Sequence, residues 1–340
     1  MAIVIDYSMI CKSNFAILAR ECKEDERDYA LEHGSVMLKD GTELSYENFR
    51  AMILSSLRKY NKKFTKKYGK MVIAMDSKSK EYWRLSLTPY YKKNRLLKNG
   101  QSLMPWKLCD EWTKKLIVEI SANFPYTIIS IGGLEADDII AVLSRYLKED
   151  VLIVSRDHDF KQLNRYSNVK RYDPINDVFL NATKKEALEY LFEHIIKGDK
   201  GDGIPNILSP LNIFMELNED GKQKNRQKPI SSKKLELWRG MIPEDFCETD
   251  EILERFKINT QLIDLTLTPQ KFVDAVLKRN ELGAKTKTND NIRPYLLSIK
   301  GGQELDKYYQ DFYSTEFTKD LTPEEQFRMM MNQSNKGLFG

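Results

Sequence analysis

The sequence contains little histidine and little cysteine, with three histidines and four cysteines in a chain of 340 residues. The cysteines show no CxxC spacing, and no histidine lies near them at the spacing typical of zinc ligands. We therefore expect neither a Cys/His zinc site nor a histidine-based catalytic triad, and we expect the thiols to stay unpaired in a reducing compartment. Any metal chemistry would have to use oxygen ligands.

Long apolar runs are also absent. No stretch approaches the roughly 18 consecutive apolar residues of a membrane-spanning helix. The first residues, from Met1 to Asp6, are typical of a buried strand and lack the basic and apolar regions of a secretion signal. The sequence therefore predicts a protein that neither spans a membrane nor is exported.

The net charge of +4 is the sum of two unlike parts. Residues 50–100 contain 15 lysines and arginines against two acidic residues, a net charge of +13, which leaves −9 for the rest of the chain. A basic region of this size favours binding to a polyanion. The acidic excess elsewhere implies a separate role for some of those carboxylates.

Short apolar runs alternate with helical patterns in the first 182 residues. The runs are nearly continuous in Val, Ile, Met and Leu, as in strands that are buried on both faces of a parallel sheet. We predict strands at Ala2–Ile5, Met71–Met75, Tyr126–Ile131, Val151–Val154 and Val169–Tyr172. Helical patterns separate these runs at 46–60, 103–123 and 136–147. The fold class is therefore α/β, with a mostly parallel central sheet flanked by helices.

The strand pattern fades after residue 182, and helices are predicted at 183–197, 231–240, 244–258 and 269–282. We accordingly predict an α/β core at 1–182, a helical lobe at 183–310 and a C-terminal tail at 311–340. A basic loop at 218–234 interrupts the lobe.

Acidic residues follow each of the first four predicted strands. Because the carboxyl ends of parallel strands meet at one edge of a sheet, these side chains should lie close together. The residues are Asp6, Asp76, Glu135, Asp137, Asp138, Asp157 and Asp159, with Asp199 and Asp202 in a later glycine-rich turn. Taken singly, each of them could cap a helix or form a turn.

Together, so many carboxylates repel one another unless cations neutralise them. Oxygen ligands favour Mg²⁺ or Mn²⁺. A pair of such ions is a known means of in-line displacement at a phosphodiester. With the basic region as a site for a polyanion, the acids predict a metal-dependent nuclease.

The basic region includes Tyr90, Tyr91, Lys92, Lys93 and Arg95 within six residues. Tyrosines beside lysine and arginine are suited to stacking on bases while the cations hold phosphates. In the alternative interpretation, the tyrosines belong to the core and the lysines are simply solvated.

Six short motifs follow one another along residues 1–207. They are Val4–Asp6, Ala74–Asp76, Tyr91–Arg95, Gly133–Asp138, Ser155–Phe160 and Gly198–Ile204. In this order they resemble the superfamily of flap endonucleases and 5′-3′ exonucleases, most of all its phage ribonuclease H branch of the T4-like type. The resemblance implies the 5′-nuclease core fold, a short arch at about 78–105 and a helix-hairpin-helix-like DNA-binding motif in the lobe. The segment after Ile204 departs from the family because it lacks the later glycines of that motif.

The resemblance also implies roles for the acidic residues around two Mg²⁺ ions per site, for which Mn²⁺ could substitute. The first ion would be held by Asp6, Asp76, Glu135, Asp137 and Asp138, some of them through water. The second would be held by Asp199 and Asp202, with Asp157 and Asp159 between the two ions.

The resemblance assigns catalytic roles to three residues of the arch. Lys92 and Arg95 would reach the scissile phosphate, and Tyr91 would stack on the terminal unpaired nucleotide. Further contacts with nucleic acid would come from Arg84, Lys93, Gly201, Gly203, Ile204, Lys222, Lys224 and Arg226.

The implied function is that of a structure-specific 5′ nuclease with 5′-3′ exonuclease, flap endonuclease and ribonuclease H activity, which removes RNA primers and flaps during DNA replication. Its substrates would be DNA with 5′ flaps or nicks and RNA–DNA hybrids. A sliding clamp or a single-strand-binding protein is a candidate partner. We expect a monomer in the cytoplasm, that of a bacterial host if the protein is phage-encoded.

Two other functions fit part of the pattern. A PIN-like endoribonuclease of single-stranded RNA has a similar acidic α/β core, but the helical lobe and the turn at Gly198–Gly203 argue against it. A non-catalytic, structure-specific DNA-binding module would not need the full set of acids.

Overall fold

The computed structural model describes residues 1–19, 30, 32–95, 104–216, 218, 223–285 and 288–314. Eight strands are formed by β1 (Ala2–Asp6), β2 (Val36–Met37), β3 (Glu43–Leu44), β4 (Lys70–Ala74), β5 (Thr127–Ile129), β6 (Val151–Val154), β7 (Val169–Asp173) and β8 (Val178–Leu180) in the described part of the chain. Predictions that fall on Lys222, on residues 96–103 of the arch and on residues 315–340 of the tail lie outside the described residues.

Helices connect and cover these strands. The α-helices are α1 (Tyr7–Leu18), α2 (Tyr46–Tyr68), α3 (Trp106–Asn123), α4 (Ala136–Tyr146), α5 (Lys184–Lys197), α6 (Ser232–Trp238), α7 (Pro243–Phe246), α8 (Asp250–Ile263), α9 (Gln270–Lys285), α10 (Ile292–Ser298) and α11 (Gly302–Asp306). Short 3₁₀ helices occur at Ser79–Glu81, Trp83–Ser86, Asp159–Arg165, Leu265–Leu267 and Tyr309–Phe312.

Six of the strands form one sheet in the order β5-β4-β1-β6-β7-β8. All neighbouring pairs are parallel except β7 and β8, which form an antiparallel hairpin. The predicted α/β fold class with a mostly parallel sheet is therefore confirmed. The sequence analysis did not predict β8 or the small β2–β3 hairpin, because both are too short to show a run or an alternation of apolar residues.

Two apolar cores lie on opposite faces of the sheet, and β1 contributes to both. Ile3 and Ile5 pack in the core formed with α1, α2 and α3, whereas Ala2 and Val4 pack in the core formed with α4 and α9. Every residue of β1 is buried, which explains why this strand is continuously apolar up to Asp6. Because helices cover both faces of the sheet, the site lies at the ends of its strands.

Helices α5, α6, α7 and α8 pack together through a smaller core of their own that includes Ile196, Trp238 and Phe246. The predicted helix at 244–258 is divided, because Thr249 caps α8 with its side chain instead of continuing α7. Beyond α8 the chain returns to the α/β core: Val273 and Val276 of α9 join one face of it, and α10 and α11 join the other.

A second helix does not follow α5 directly. The described residues among 198–231 form turns, bridges and extended chain, so this segment does not show the predicted helix-hairpin-helix-like motif. None of the helices that the structure describes is both long enough and apolar enough to span a bilayer.

Candidate active site

The carboxyl edge of the sheet brings the acids of separate strands together through hydrogen bonds. Asp6, the last residue of β1, caps α1, since its Oδ1 accepts a hydrogen bond from the Met9 amide at 3.1 Å. Its Oδ2 accepts one from Ser155 Oγ, just after β6, at 2.9 Å. Asp76, which follows β4, accepts the amide of Ala136 at the start of α4 at 2.9 Å. The ends of β1, β4 and β6 and the start of α4 thus form one cluster.

Burial and neighbouring negative charge both raise pKa values in this cluster. Burial, and next the neighbouring Asp76, raise the pKa of Asp6 to about 7. Burial, together with Asp157 and Asp6, raises the pKa of Asp137 well above its ordinary value. Carboxylates placed this close favour either protonation or a bound cation. The oxygen-rich donor set therefore fits divalent metal ions.

The glycine turn after β5 leads into α4 and places Glu135 against a buried arginine. Arg84 is only 1% exposed. Its Nη1 donates to Glu135 Oε2 at 3.1 Å and to Asp138 Oδ2 at 2.9 Å, and its Nε donates to the Leu262 carbonyl oxygen at 2.9 Å. The predicted contact of Arg84 with nucleic acid is therefore wrong in this structure, because its guanidinium lies inside the protein.

Asp138 is fully buried and its oxygens are taken by the protein. Besides Arg84, it accepts hydrogen bonds from Trp83 Nε1 at 3.3 Å and from Thr268 Oγ1 at 3.2 Å. Its Oδ2 also accepts the Glu135 amide in the capping box of α4. These bonds anchor the start of α4 and occupy both carboxylate oxygens of Asp138, so direct ligation of a metal does not fit this structure, and a contact through water stays a prediction.

Two basic side chains of the arch bind carboxylates of the cleft. Lys92 Nζ contacts Glu135 Oε1 and lies 3.3 Å from Asp202 Oδ2, and Arg95 Nη2 pairs with Asp202 Oδ1. Burial would lower the pKa of Lys92, but Asp202, Tyr91 and Glu135 hold it well above its ordinary value. The backbone of Lys92 has a left-handed φ of 56°, and its amide donates to the Asp202 carbonyl oxygen at 2.7 Å. Contacts with the Asp202 turn thus hold a strained residue in place.

Tyr91 lies in the interior rather than on a nucleotide-facing surface. The residue is 5% exposed, and its OH donates to Glu135 Oε2 at 2.6 Å. Its ring packs in a small core with Tyr82, Leu191 and Ile204. The predicted stacking of Tyr91 on an unpaired nucleotide is therefore wrong for this structure, and the alternative interpretation of a core tyrosine applies.

The glycine-rich turn after α5 holds Asp199 and Asp202 in front of the arch. Gly198 has a φ of 68°, and a Cβ atom there would lie 2.3 Å from the Ile204 carbonyl oxygen. Asp199 Oδ1 accepts the amides of Gly201 at 2.6 Å and Asp202 at 3.2 Å. Only glycine fits the first position, and the acids that follow are thereby fixed in orientation.

Two of the three predicted contacts with nucleic acid in this turn are corrected, those of Gly203 and Ile204, whereas Gly201 is exposed and lines the cleft. Ile204 is 3% exposed and its amide donates to the Asp199 carbonyl oxygen at 2.7 Å. Gly203 is buried against Asn94, and the Gly201 amide is already bonded to Asp199. The amides of Gly201 and Ile204 are therefore used to build the turn.

A histidine that the sequence analysis did not select completes the far side of the cleft. Within the described residues, Asp159, His194 and Asp199 form a group whose ligand atoms lie within 4.8 Å of one another. Burial, and then Asp157, raise the pKa of Asp159 to about 6. His194 lies on α5, five residues before Asp199. Its position near the end of a helix that leads into an acidic turn was the signal in the sequence that could have identified it as a site residue.

The acids and the basic residues face each other across an open cleft of about 510 Å³. Of the predicted site residues, it is lined by Lys92, Arg95, Asp137, Asp157, Asp159, Asp199, Gly201 and Asp202. Lys93, Lys224 and Arg226 are exposed elsewhere on the surface. The cleft thus combines ligands for cations with side chains that can bind phosphate.

Comparisons with known proteins agree with this geometry. A family model described as the 5′-3′ exonuclease N-terminal resolvase-like domain matches residues 27–192. The ribonuclease H of Enterobacteria phage T4 is 34% identical over 191 residues, which are 55% of this chain and 62% of that protein. The flap endonuclease of Escherichia phage T5 is 27% identical over 64% of this chain and 86% of that protein.

Among solved structures, the flap endonuclease of phage T5 in a product complex with DNA and metal ions shares the fold. It aligns with a TM-score of 0.54 at 17% identity, over 82% of this chain and 99% of that one. The phage T5 5′-exonuclease with bound zinc aligns equally well, with a TM-score of 0.54 at 17% identity over 83% of this chain and 100% of that one. These structures show that the chain shares their fold, and residues 27–192 are similar to the 5′-3′ exonuclease N-terminal resolvase-like domain.

Proposed function

We propose that this chain is a metal-dependent, structure-specific 5′ nuclease that hydrolyses phosphodiesters in replicating DNA. Its substrates are DNA with 5′ flaps or nicks and RNA–DNA hybrids, so that it combines 5′-3′ exonuclease, flap endonuclease and ribonuclease H activity. One observation carries the proposal: carboxylates from separate strand ends and from the Asp199–Asp202 turn face Lys92 and Arg95 across one cleft.

The carboxylates fit two divalent cations, in our proposal Mg²⁺ with Mn²⁺ as a substitute. When bound, such ions polarise a phosphodiester and lower the pKa of water. The residues proposed to hold the first ion are Asp6, Asp76, Glu135 and Asp137. Those proposed for the second are Asp199 and Asp202, with Asp157 and Asp159 between them. Burial and the neighbouring Asp76, which together raise the pKa of Asp6 to about 7, support this assignment.

Lys92 and Arg95 then bind the scissile phosphate. In the present structure their charges are compensated by Glu135 and Asp202. Once those carboxylates serve as ligands, the ammonium and guanidinium groups can exchange them for phosphate oxygens, which suit the guanidinium fork well. There they offset the charge that develops as the phosphodiester is cleaved.

End-labelled substrates test this function directly. We expect cleavage of a 5′ flap, a nicked duplex and an RNA–DNA hybrid in Mg²⁺, with products released from the 5′ end, and no cleavage in EDTA. Cleavage that is equally fast on a plain single-stranded RNA would favour the PIN-like alternative. Binding without hydrolysis under all metal conditions would favour a non-catalytic module.

The setting of the activity is also proposed. The chain acts as a monomer in the cytoplasm of a bacterial host, where it removes RNA primers and flaps during replication. A sliding clamp or a single-strand-binding protein is its proposed partner. A titration of the full chain with each partner, compared with a chain shortened before residue 333, tests whether the tail contributes.

A further inference from the structure

An imidazole lies among the carboxylates at one end of the cleft, where the sequence predicted oxygen ligands alone. His194 Nε2 is 3.8 Å from Asp159 Oδ1 and 3.6 Å from Asp199 Oδ2. Ligand atoms around a tetrahedral cation with bonds of about 2.1 Å are about 3.4 Å apart. The three side chains therefore need only a small movement to bind one cation together.

The surroundings of His194 Nε2 support a ligand role. This atom is buried, and the carboxylates of Asp199 and Asp159 lie just beyond hydrogen-bond distance of it, as ion-pair partners. Tyr190, one turn earlier on α5, donates its OH to Asp159 Oδ1 at 3.0 Å. Its ring also packs beside the imidazole, with 5.4 Å between the ring centroids. Tyr190 thus steadies both the carboxylate and the imidazole.

We propose that Asp159, His194 and Asp199 form a mixed imidazole and carboxylate site for a borderline transition-metal cation of the Zn²⁺ or Co²⁺ class. The inference rests on the proposed function and deepens it by assigning a class of metal to one of its two ion positions. Imidazole suits ions of this class, whereas Mg²⁺ prefers oxygen ligands and retains much of its water. His194 therefore raises the affinity of this position for Zn²⁺ and Co²⁺, while its carboxylates still bind the Mg²⁺ that the proposed cleavage uses.

Proton NMR of the full chain loaded with Co²⁺ tests the site without using activity. An imidazole that binds Co²⁺ gives a strongly shifted signal from its exchangeable ring N–H. We expect this signal in the unaltered chain and its loss in His194→Gln. His158→Gln is the matched control, because His158 lines the same cleft between Asp157 and Asp159 and its replacement should leave the signal in place.

Calorimetry provides a second readout on the same proteins. We expect His194→Gln to weaken Zn²⁺ binding by at least about tenfold, as perturbing a metal's ligand set commonly does, and to leave Mg²⁺ binding unchanged. His158→Gln should change neither affinity. Equal losses for Zn²⁺ and Mg²⁺ in His194→Gln would contradict the assigned selectivity.

The outcomes separate this inference from the proposed function. The absence of a shifted signal in the unaltered chain overturns the imidazole site whether or not the variants fold, and so does its persistence in His194→Gln. If flap cleavage in Mg²⁺ is intact in that case, the nuclease proposal stands. If no divalent cation supports cleavage of any substrate, the nuclease proposal itself fails.

Discussion

Single residues of the cleft are paired so that the charge of the acids is partly compensated within the chain. Glu135 binds both Lys92 and Arg84, and Asp202 binds Lys92 and Arg95. Asp157 is different, since its Oδ1 accepts only the backbone amide of Asp159 among the described hydrogen bonds. Its carboxylate lines the cleft, and after burial its charge is the next largest cause of the raised pKa of Asp137 and of Asp159.

We expect Asp157→Asn to lower the cleavage rate by about 100-fold or more, because the amide keeps the shape of the side chain but removes the charge that attracts cations. Affinity for a flap substrate should remain within a few fold. Single-turnover cleavage and fluorescence anisotropy measure the two quantities. Asp110→Asn, at an exposed position of α3, is the control, and a rate for Asp157→Asn equal to that of the control would refute the assignment.

Replacement of Lys92 by alanine should reduce kcat by about 10²–10³-fold, the usual cost of losing one charge that stabilises a transition state. We expect the Kd for a flap to change far less. Lys93→Ala removes an exposed neighbouring charge and should affect binding alone. If Lys92→Ala instead changes only the Kd, Lys92 holds the phosphate without contributing to the chemical step.

Among the elements, the turn that links α5 to the rest of the lobe has a strict backbone requirement. Gly198 combines a left-handed φ with contact to the Ile204 and Pro205 carbonyl groups, so no side chain fits there. Gly240 has a φ of 93° but nothing within 4 Å of an added Cβ. A comparison of alanine substitutions at the two glycines therefore distinguishes the cost of backbone strain from the cost of steric overlap.

We expect Gly240→Ala to cost about 1–2 kcal/mol, the price of a left-handed backbone for alanine. Gly198→Ala should cost more and should also abolish cleavage, because relief of the overlap displaces Asp199 and Asp202. Urea unfolding and flap cleavage are the measurements. A Gly198→Ala protein with normal activity would show that the turn tolerates a shift.

Strands and helices could be predicted from the sequence where a local apolar pattern determines them. The continuous apolar runs of β1 and β6 predicted both strands, but α2 extends to Tyr68 instead of ending near residue 60. Its last turns contain Lys62, Lys63, Lys66 and Lys67, which interrupt the apolar pattern of the helix. The buried side chains of Phe64 and Tyr68 show that the helix continues with one face on the core.

The acids of the site were predictable for the same reason, since their positions after strands follow from the chain order. The residues that pair with these acids could not be predicted. The pairing of Arg84 with Glu135 and Asp138, more than 50 residues away, depends on packing that no local pattern records. The burial of Tyr91 and the approach of His194 to Asp159 are likewise products of tertiary contacts.

At the scale of the whole molecule, stability and cation binding should be linked through pH. Asp6 has a pKa of about 7 and Asp159 a pKa of about 6 in the folded chain, against an ordinary value of 3.8 for each. A carboxyl group whose pKa is raised by folding destabilises the fold as pH rises from the unfolded value through the folded one. Metal-free protein should therefore lose stability between about pH 4 and pH 7.

We expect the Tm of the metal-free chain to be higher at pH 5 than at pH 8, and added Mg²⁺ to raise the Tm more at pH 8 than at pH 5. Thermal unfolding in EDTA and in Mg²⁺ at both pH values measures this. Asp6→Asn should flatten the pH dependence in EDTA. A metal-free Tm that increases from pH 5 to pH 8 would contradict the charge crowding described for the cleft.

The contacts of Lys92 and Arg95 with Glu135 and Asp202 have one more consequence. Glu135 and Asp202 are proposed to bind cations, and Lys92 and Arg95 are proposed to bind phosphate. A bound cation would therefore free the two basic groups for phosphate, and a bound phosphate would free the two carboxylates for cations. Binding of divalent ions and binding of nucleic acid should therefore be positively cooperative. By thermodynamic reciprocity, a flap substrate should tighten the binding of metal by the factor by which metal tightens the binding of the flap.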